Sequence, residues 1–148
     1  MKADRIFIRS LLIPVLLLVT ACCSSKPGAK GTPCSPPASL KLGDVFFDYD
    51  QYALRPDAIR QLKINAKWMK SRPGRTVILQ GHCDERGTRE YNYSLGGRRA
   101  DNVKNYLVRL GVDPDRMKTV SYGNTRPFVV GSSEQMRAKN RRVHFVAD

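Results

Sequence analysis

The sequence predicts an α+β domain over residues 43–148, with helices packed on one face of a four-stranded mixed sheet. Three observations carry this. Strand-like and helix-like segments follow in the order βαβαβ(α)β. Two of the helical segments have a clear apolar face. The chain, at 148 residues, has room for one ordinary domain and little else.

Taken in order, Asp44-Val45-Phe46-Phe47-Asp48 reads as a short strand. Arg55-Pro56-Asp57 opens a helix, because proline is tolerated where a helix has no N–H to satisfy. Ile59, Leu62, Ala66 and Met69 then recur at helical spacing and form its apolar face. Arg60, Lys63, Lys67 and Lys70 repeat beside it; they read as a solvated face, with contact to anionic lipid or polymer as the alternative. Ile64 and Trp68 fall off the apolar face, and Arg72-Pro73-Gly74 stops the helix. Thr76 to Gln80 reads as a strand buried on both faces. A polar loop, Gly81 to Glu90, leads to a helix from Tyr91 to Leu110, ended by Gly111 with Pro114 beyond. Met117 to Tyr122 and Arg142 to Ala147 are two more strands, joined through a short helix near Glu134–Lys139.

The first residues specify an address. Lys2, Arg5 and Arg9 precede the apolar stretch 11–19, and Thr20-Ala21-Cys22 follows. A basic start, a short apolar run and small residues at its end read as an export signal. The run is well short of the ~18–20 residues that span a bilayer. Val19-Thr20-Ala21-Cys22 resembles the bacterial lipobox, which implies cleavage after residue 21 and an acylated Cys22. Position 23 is Cys rather than the Asp that tends to retain lipoproteins in the inner membrane, so the resemblance points to the inner leaflet of the outer membrane. Residues 23–41 carry small residues, four prolines and no aromatics, and so read as a tether. Fully extended, its 19 residues would reach roughly 60 Å. The expected organisation is a signal at 1–21, a lipidated cysteine and tether at 22–42, and a domain at 43–148.

Composition narrows the class. Hydrophobic residues at 41% and charged residues at 26% exclude a disordered or fibrous chain. The formal charge is +13; residues 1–21 hold three basic residues and one acid, so the remainder keeps 23 Lys/Arg against 12 Asp/Glu, a net +11. That excess favours anionic partners such as phospholipid or cell wall, and export disfavours nucleic acid. Of the four cysteines, Cys22 is assigned to lipid. Cys83, at a strand end, is expected outside any structural disulfide.

The chemistry concentrates in Gly81-His82-Cys83-Asp84-Glu85-Arg86-Gly87-Thr88 and the helix after it. At 100° per residue, Leu95, Val103, Tyr106, Leu107 and Leu110 share one side. Arg99 lies on that side, whereas Arg98 points to solvent. A guanidinium beside an apolar face needs a partner, and Asp84, Glu85 and Glu90 are candidates. An Arg and an Asp held together fit a zwitterion, the Arg clamping a carboxylate and the Asp accepting from an ammonium. A purely structural Asp–Arg bridge fits the spacing equally well. His82, Cys83 and Asp84 are consecutive, so they alternate in direction and make a poor metal site; no metal and no cofactor is expected. Nothing activates a particular nucleophile, and no phosphate-binding glycine loop occurs.

Gly81-His82-x-Asp84-x-x-Gly87-x-x-x-Tyr91-Asn92-x-x-Leu95-x-x-Arg98-Arg99-Ala100 resembles the signature of OmpA-like C-terminal domains. Val103, Tyr106-Leu107, Gly111-Val112, Ser121-Tyr122-Gly123, Pro127 and Asn140-Arg141-Arg142-Val143 continue the resemblance in order, over about residues 44–147. The lipobox, the tether, Phe47-Asp48-Tyr49-Asp50 and Asp84 to Thr88 look like the family's lipid-anchored, peptidoglycan-associated members. The resemblance implies noncovalent binding of peptidoglycan through stem-peptide diaminopimelate, with Asp84 and Arg99 as the principal contacts and Asp48, Asn92 and Arg141 in support. It also implies membership of the Tol-Pal system, TolB as a partner, and a part in drawing the outer membrane inward at division. Two residues depart from the pattern: Cys83 stands where Ala or Thr is usual, and Gly97 where a charge is common.

A binding module is therefore the leading expectation. An anchored protein that binds another protein or anionic lipid, with a degenerate wall site, is the alternative. A wall hydrolase lacks an acid/base pair on facing elements, so no enzymatic activity is expected.

Overall fold

A computed structural model describes residues 41–148; the signal, Cys22 and all of the tether except Lys41 and Leu42 lie outside the described residues. The elements are β1 (Val45–Phe46), α1 (Pro56–Lys70), β2 (Val77–His82) and α2 (Arg89–Arg109), then a 3-10 turn (Pro114–Arg116), β3 (Met117–Gly123), α3 (Glu134–Asn140) and β4 (Arg142–Ala147). The sheet order is β1-β4-β2-β3. β2 and β3 are parallel, with α2 as their crossover, and β4 runs antiparallel to both β1 and β2. The expected α+β class, element order and mixed four-stranded sheet are all present.

α1 and α2 pack on the sheet face that carries Val77, Leu79, Met117, Val143 and Phe145. From α1 come Leu62, Ala66 and Met69; from α2 come Ala100, Val103 and Leu107. Each buried Leu or Met contributes about 1.5–3 kcal/mol relative to exposure, which fixes both helices on this face. Ile59, expected on the core face, is only half-buried, and Ala58 is buried in its place. Trp68 packs at the edge of the core beneath the Arg72 guanidinium, 4.6 Å from the ring centroid, and Ile64 is exposed.

β2 differs from expectation. Over residues 77–80 it is buried on one face only: Val77 and Leu79 are covered, Ile78 and Gln80 half-exposed, and burial becomes two-sided only at Gly81 and His82. The second face is covered at the His82 end, where His82 meets the Arg126 carbonyl and Arg142 stacks on Phe128, and Ile78 and Gln80 stay half-exposed, so an apolar run here does not mean two-sided burial. β1 is also shorter than the expected 44–48, because only Val45 and Phe46 pair with β4. α2 starts two residues earlier than expected, at Arg89, because the Thr88 hydroxyl caps it by accepting from the Tyr91 amide at 3.2 Å.

Two local features position the site. Gly81 on β2 meets Gly96 on α2, and a side chain on Gly81 would collide with the Gly96 carbonyl. Only glycine lets strand end and helix approach this closely. At the other end, Asn65 of α1 is fully buried; it accepts from the Gly43 amide at 3.0 Å and donates to its carbonyl at 2.8 Å. Leu42, the last residue of the expected tether, packs against the core.

Candidate functional site

The C-terminal end of β2, the turn after it, the start of α2 and the segment after β1 enclose a recess of about 110 Å³. Tyr49, Asp50, Asp84, Arg86, Asn92 and Arg99 line it, together with Arg141 at the start of β4.

Arg99 is 1% exposed, at the place the helical spacing indicated, while Arg98 is exposed. Its partner is none of the expected carboxylates. Nε donates to the Gln51 carbonyl at 2.8 Å, Nη1 to the His82 carbonyl at 2.9 Å and Nη2 to the Asp48 carbonyl at 3.1 Å. Nη1 also lies 3.4 Å from Cys83 Sγ, and the guanidinium stands 5.2 Å over the Phe47 ring. The Asp48 and Gln51 carbonyls are available because β1 ends at Phe46, leaving residues 48–51 without a sheet partner, and the His82 carbonyl lies at the end of β2, beyond its last pair with β4. Four of the five guanidinium N–H groups are thus occupied and one Nη2 donor is left over. Burial lowers the Arg99 pKa, so its charge is held at a cost that a bound anion would offset.

Asp84 is 3% exposed and is not bridged to Arg99. Its Oδ1 accepts from the Arg86 amide at 3.2 Å, closing an Asx turn. Oδ2 accepts from Arg86 Nη2 at 2.7 Å and from Arg141 Nη1 at 3.1 Å. Burial alone would raise this carboxyl's pKa, but the bonds from Arg86 and Arg141 outweigh it and hold the pKa below the usual value. Asp84 is therefore ionised at neutral pH, with one acceptor position on Oδ1 unspent.

Arg141 is also buried, and it donates to the Phe47 carbonyl and to Glu134 as well as to Asp84. Asn92 is buried and donates to the Arg86 carbonyl at 2.8 Å, which fixes the turn. Asp48 is placed differently from the other four expected site residues. Its carboxylate is exposed and paired with Arg55 at 3.0 Å, and only its main-chain carbonyl reaches Arg99.

Arg86, Tyr49, Asp50 and Tyr91 join the site without being among the expected contacts. Arg86 stacks 3.8 Å over Tyr49, and the Tyr91 hydroxyl donates to Asp50. Asp50 has φ 55°, a left-handed conformation that Asp tolerates better than most residues. One signal was available: Asp84-x-Arg86-Gly87 is the pattern of an Asx turn, and Gly87 takes φ 92° there.

The family model that matches the chain is that of the OmpA family, over residues 46–141. The chain belongs to the OmpA family. Among curated relatives it is 48% identical to the peptidoglycan-associated lipoprotein of Pseudomonas aeruginosa over 117 residues, covering 78% of this chain and 69% of that protein. The Haemophilus influenzae protein of the same name is 38% identical over 145 residues, with 92% and 95% covered. The crystal structure of the peptidoglycan-associated lipoprotein from Burkholderia pseudomallei superposes with TM-score 0.68 at 40% identity, covering 71% of this chain and 89% of that one. The C-terminal domain of Helicobacter pylori MotB gives TM-score 0.68 at 25% identity, with 73% and 85% covered.

The two departures from the OmpA-like pattern are accommodated. A side chain on Gly97 would meet open space. Cys83 is buried and free, and its thiol lies 3.4 Å from the Asn92 carbonyl, in position to donate. Burial pushes that thiol up to about 11, so it stays protonated and unreactive.

His82, whose carbonyl binds Arg99, turns its ring toward Tyr122 and the segment after β3. Its Nδ1 lies 3.1 Å from the Arg126 carbonyl, which only accepts, so Nδ1 carries the proton. Burial, then the nearby Arg142 charge, lower its pKa from 6.5 to about 4. The unfolded imidazole takes up its proton near pH 6.5, the folded one only near pH 4. This stability is complete above the unfolded value and is lost as pH falls across that window, by at most roughly 1.4 kcal/mol per unit. Urea unfolding from pH 7.5 to pH 4 should show this slope, and His82→Gln should flatten it. The Asp84 contribution falls away only at lower pH, since its folded pKa lies below 3.8.

Proposed function

We propose that the chain is an outer-membrane lipoprotein that holds peptidoglycan noncovalently, taking the free end of a stem-peptide diaminopimelate in this recess. The observation that carries the reading is Arg99: a guanidinium 1% exposed, bound to carbonyls rather than to a carboxylate, in the wall of a recess beside an ionised Asp84. The spare Nη2 donor suits the ligand's carboxylate, and the unspent acceptor on Asp84 Oδ1 suits its ammonium. Arg141 and Asn92 hold Asp84 and its turn, and Asp48 acts through its carbonyl on Arg99. The names of the relatives support peptidoglycan as the partner. The site reads as a binding site rather than an enzyme's, because a general acid needs a raised carboxyl pKa and that of Asp84 is lowered.

Sacculus binding tests it directly. Free diaminopimelate should release the bound protein, whereas pimelate and cadaverine, which carry only the carboxylates or only the ammoniums, should not. Equal release by all three would reduce the interaction to general electrostatics. The anchor is assigned to Cys22: labelled palmitate should enter the wild type and be missing from Cys22→Ser. Action within the Tol-Pal system, with TolB as partner and a part in envelope constriction at division, completes the proposal and rests on kinship with the peptidoglycan-associated lipoproteins.

A further inference from the structure

The exposed stripe of α1 has no role in the recess. Arg60, Lys63, Lys67 and Lys70 are all exposed, and among the described residues none of the four forms an ion pair. The only acid on α1, Asp57, is taken by Arg55 at 3.0 Å. Where α1 ends, Arg116 donates to the Met69, Arg72 and Arg75 carbonyls, which adds charge to the same end of the domain.

The topology puts this end opposite the recess. α1 begins near the Asp48 carbonyl that binds Arg99, and it runs back to the end of the sheet where β2 and β3 start. β1 enters the sheet running toward the recess, since Phe46 pairs with Arg142 and Val45 with Val143. Lys41 and Leu42 therefore arrive from the cationic end, and Asn65, between Lys63 and Lys67 on α1, grips Gly43 as the chain comes in. The segment leading back to the expected anchor thus leaves the domain at the end where the unpaired lysines lie.

We infer that the cationic face of α1 docks on the anionic headgroups of the membrane that carries the anchor, turning the recess away from that membrane. An acyl chain and a basic patch together hold a protein at a surface far better than either alone. The wall ligand, at the opposite end, does not compete for this face.

Trp68, the only tryptophan, lies on α1 beside the stripe and reports on the docking. The acylated full chain would be reconstituted in vesicles of phosphatidylcholine alone or with about one-third phosphatidylglycerol, and energy transfer from Trp68 to a dansyl headgroup measured. Transfer should be at least about twofold higher on the anionic vesicles and should drop to the neutral value in about 1 M salt, where screening acts within ~3 Å. Lys63→Glu/Lys67→Glu should abolish the difference, each variant being referred to its own value on neutral vesicles. Arg89→Glu/Lys139→Glu, the same charge change at exposed positions at the opposite end of the domain, should preserve it. Equal transfer on the two vesicle types, or equal loss in both double variants, would overturn the inference. Sacculus binding by Lys63→Glu/Lys67→Glu should be unchanged, so failure of the recess and failure of this face are read separately. A chain that failed to acylate would be washed from neutral vesicles, and α1 docking would then be scored as recruitment to anionic ones.

Discussion

Arg99→Lys should lose sacculus binding by about 30-fold to several-thousand-fold, the effect of truncating one partner of a buried charged contact worth roughly 2–5 kcal/mol. An ammonium cannot reproduce the planar fork. Here the fork has two tasks: it ties the Gln51 and Asp48 carbonyls to that of His82, and it leaves one donor for a ligand. Lysine keeps the charge but has only three donors on a single nitrogen, so a lysine that served all three carbonyls would keep none for the ligand. Arg98→Ala loses a charge one position along, on the exposed side of α2, and should bind within about threefold of wild type. Circular dichroism on each variant separates lost binding from lost fold. Equal binding by folded Arg99→Lys and Arg98→Ala would remove Arg99 from the ligand's contacts and leave it as a brace for the segment after β1.

Arg99 was legible because helical periodicity is a property of side chains, and its neighbours at Leu95 and Val103 fix its direction. Its partners were not. They are main-chain carbonyls at 48 and 51, available because β1 stops after two residues, and at 82, where β2 ends; no side-chain pattern marks a carbonyl left without a sheet partner. Asp84 was legible as a site residue, yet its expected bridge to Arg99 is replaced by bonds from Arg86 and Arg141. Arg141 is 57 residues away in sequence and is brought alongside only by the pairing of β4 with β2. The misreading of β2 has the same origin. Val77 and Ile78 are nearly the same to the hydrophobic effect, and what separates them is that helices cover one face of the sheet and not the other. The Thr88 cap, by contrast, was present in the letters, and it would have placed the start of α2 correctly.

Gly81→Ala should be among the most damaging single changes in the domain. The added methyl would lie well inside contact distance of the Gly96 carbonyl, and both sides of the collision are backbone, so no rotamer can relieve it. β2 and α2 would have to separate where the recess is built. A cost of roughly 3 kcal/mol or more is expected, at or beyond the top of the usual range for overpacking. For a domain of this size that lowers the melting temperature by on the order of 10 °C or more. Gly96→Ala makes an informative contrast, because the severe contact of its methyl would be with the Ser121 hydroxyl, the end of a side chain, and its approach to the Gly81 carbonyl is only tight, at 3.1 Å. That clash should be eased in Gly96→Ala/Ser121→Ala, at the loss of the 2.6 Å bond from Ser121 Oγ to the Tyr93 carbonyl. No comparable second change should rescue Gly81→Ala. Arg99 sits one turn along α2 from this crossing and binds the His82 carbonyl next to it, so Gly81→Ala molecules that still fold should also bind sacculi weakly. A Gly81→Ala protein with wild-type melting temperature and wild-type sacculus binding would mean that strand and helix are not held at this separation, and that the recess does not depend on it.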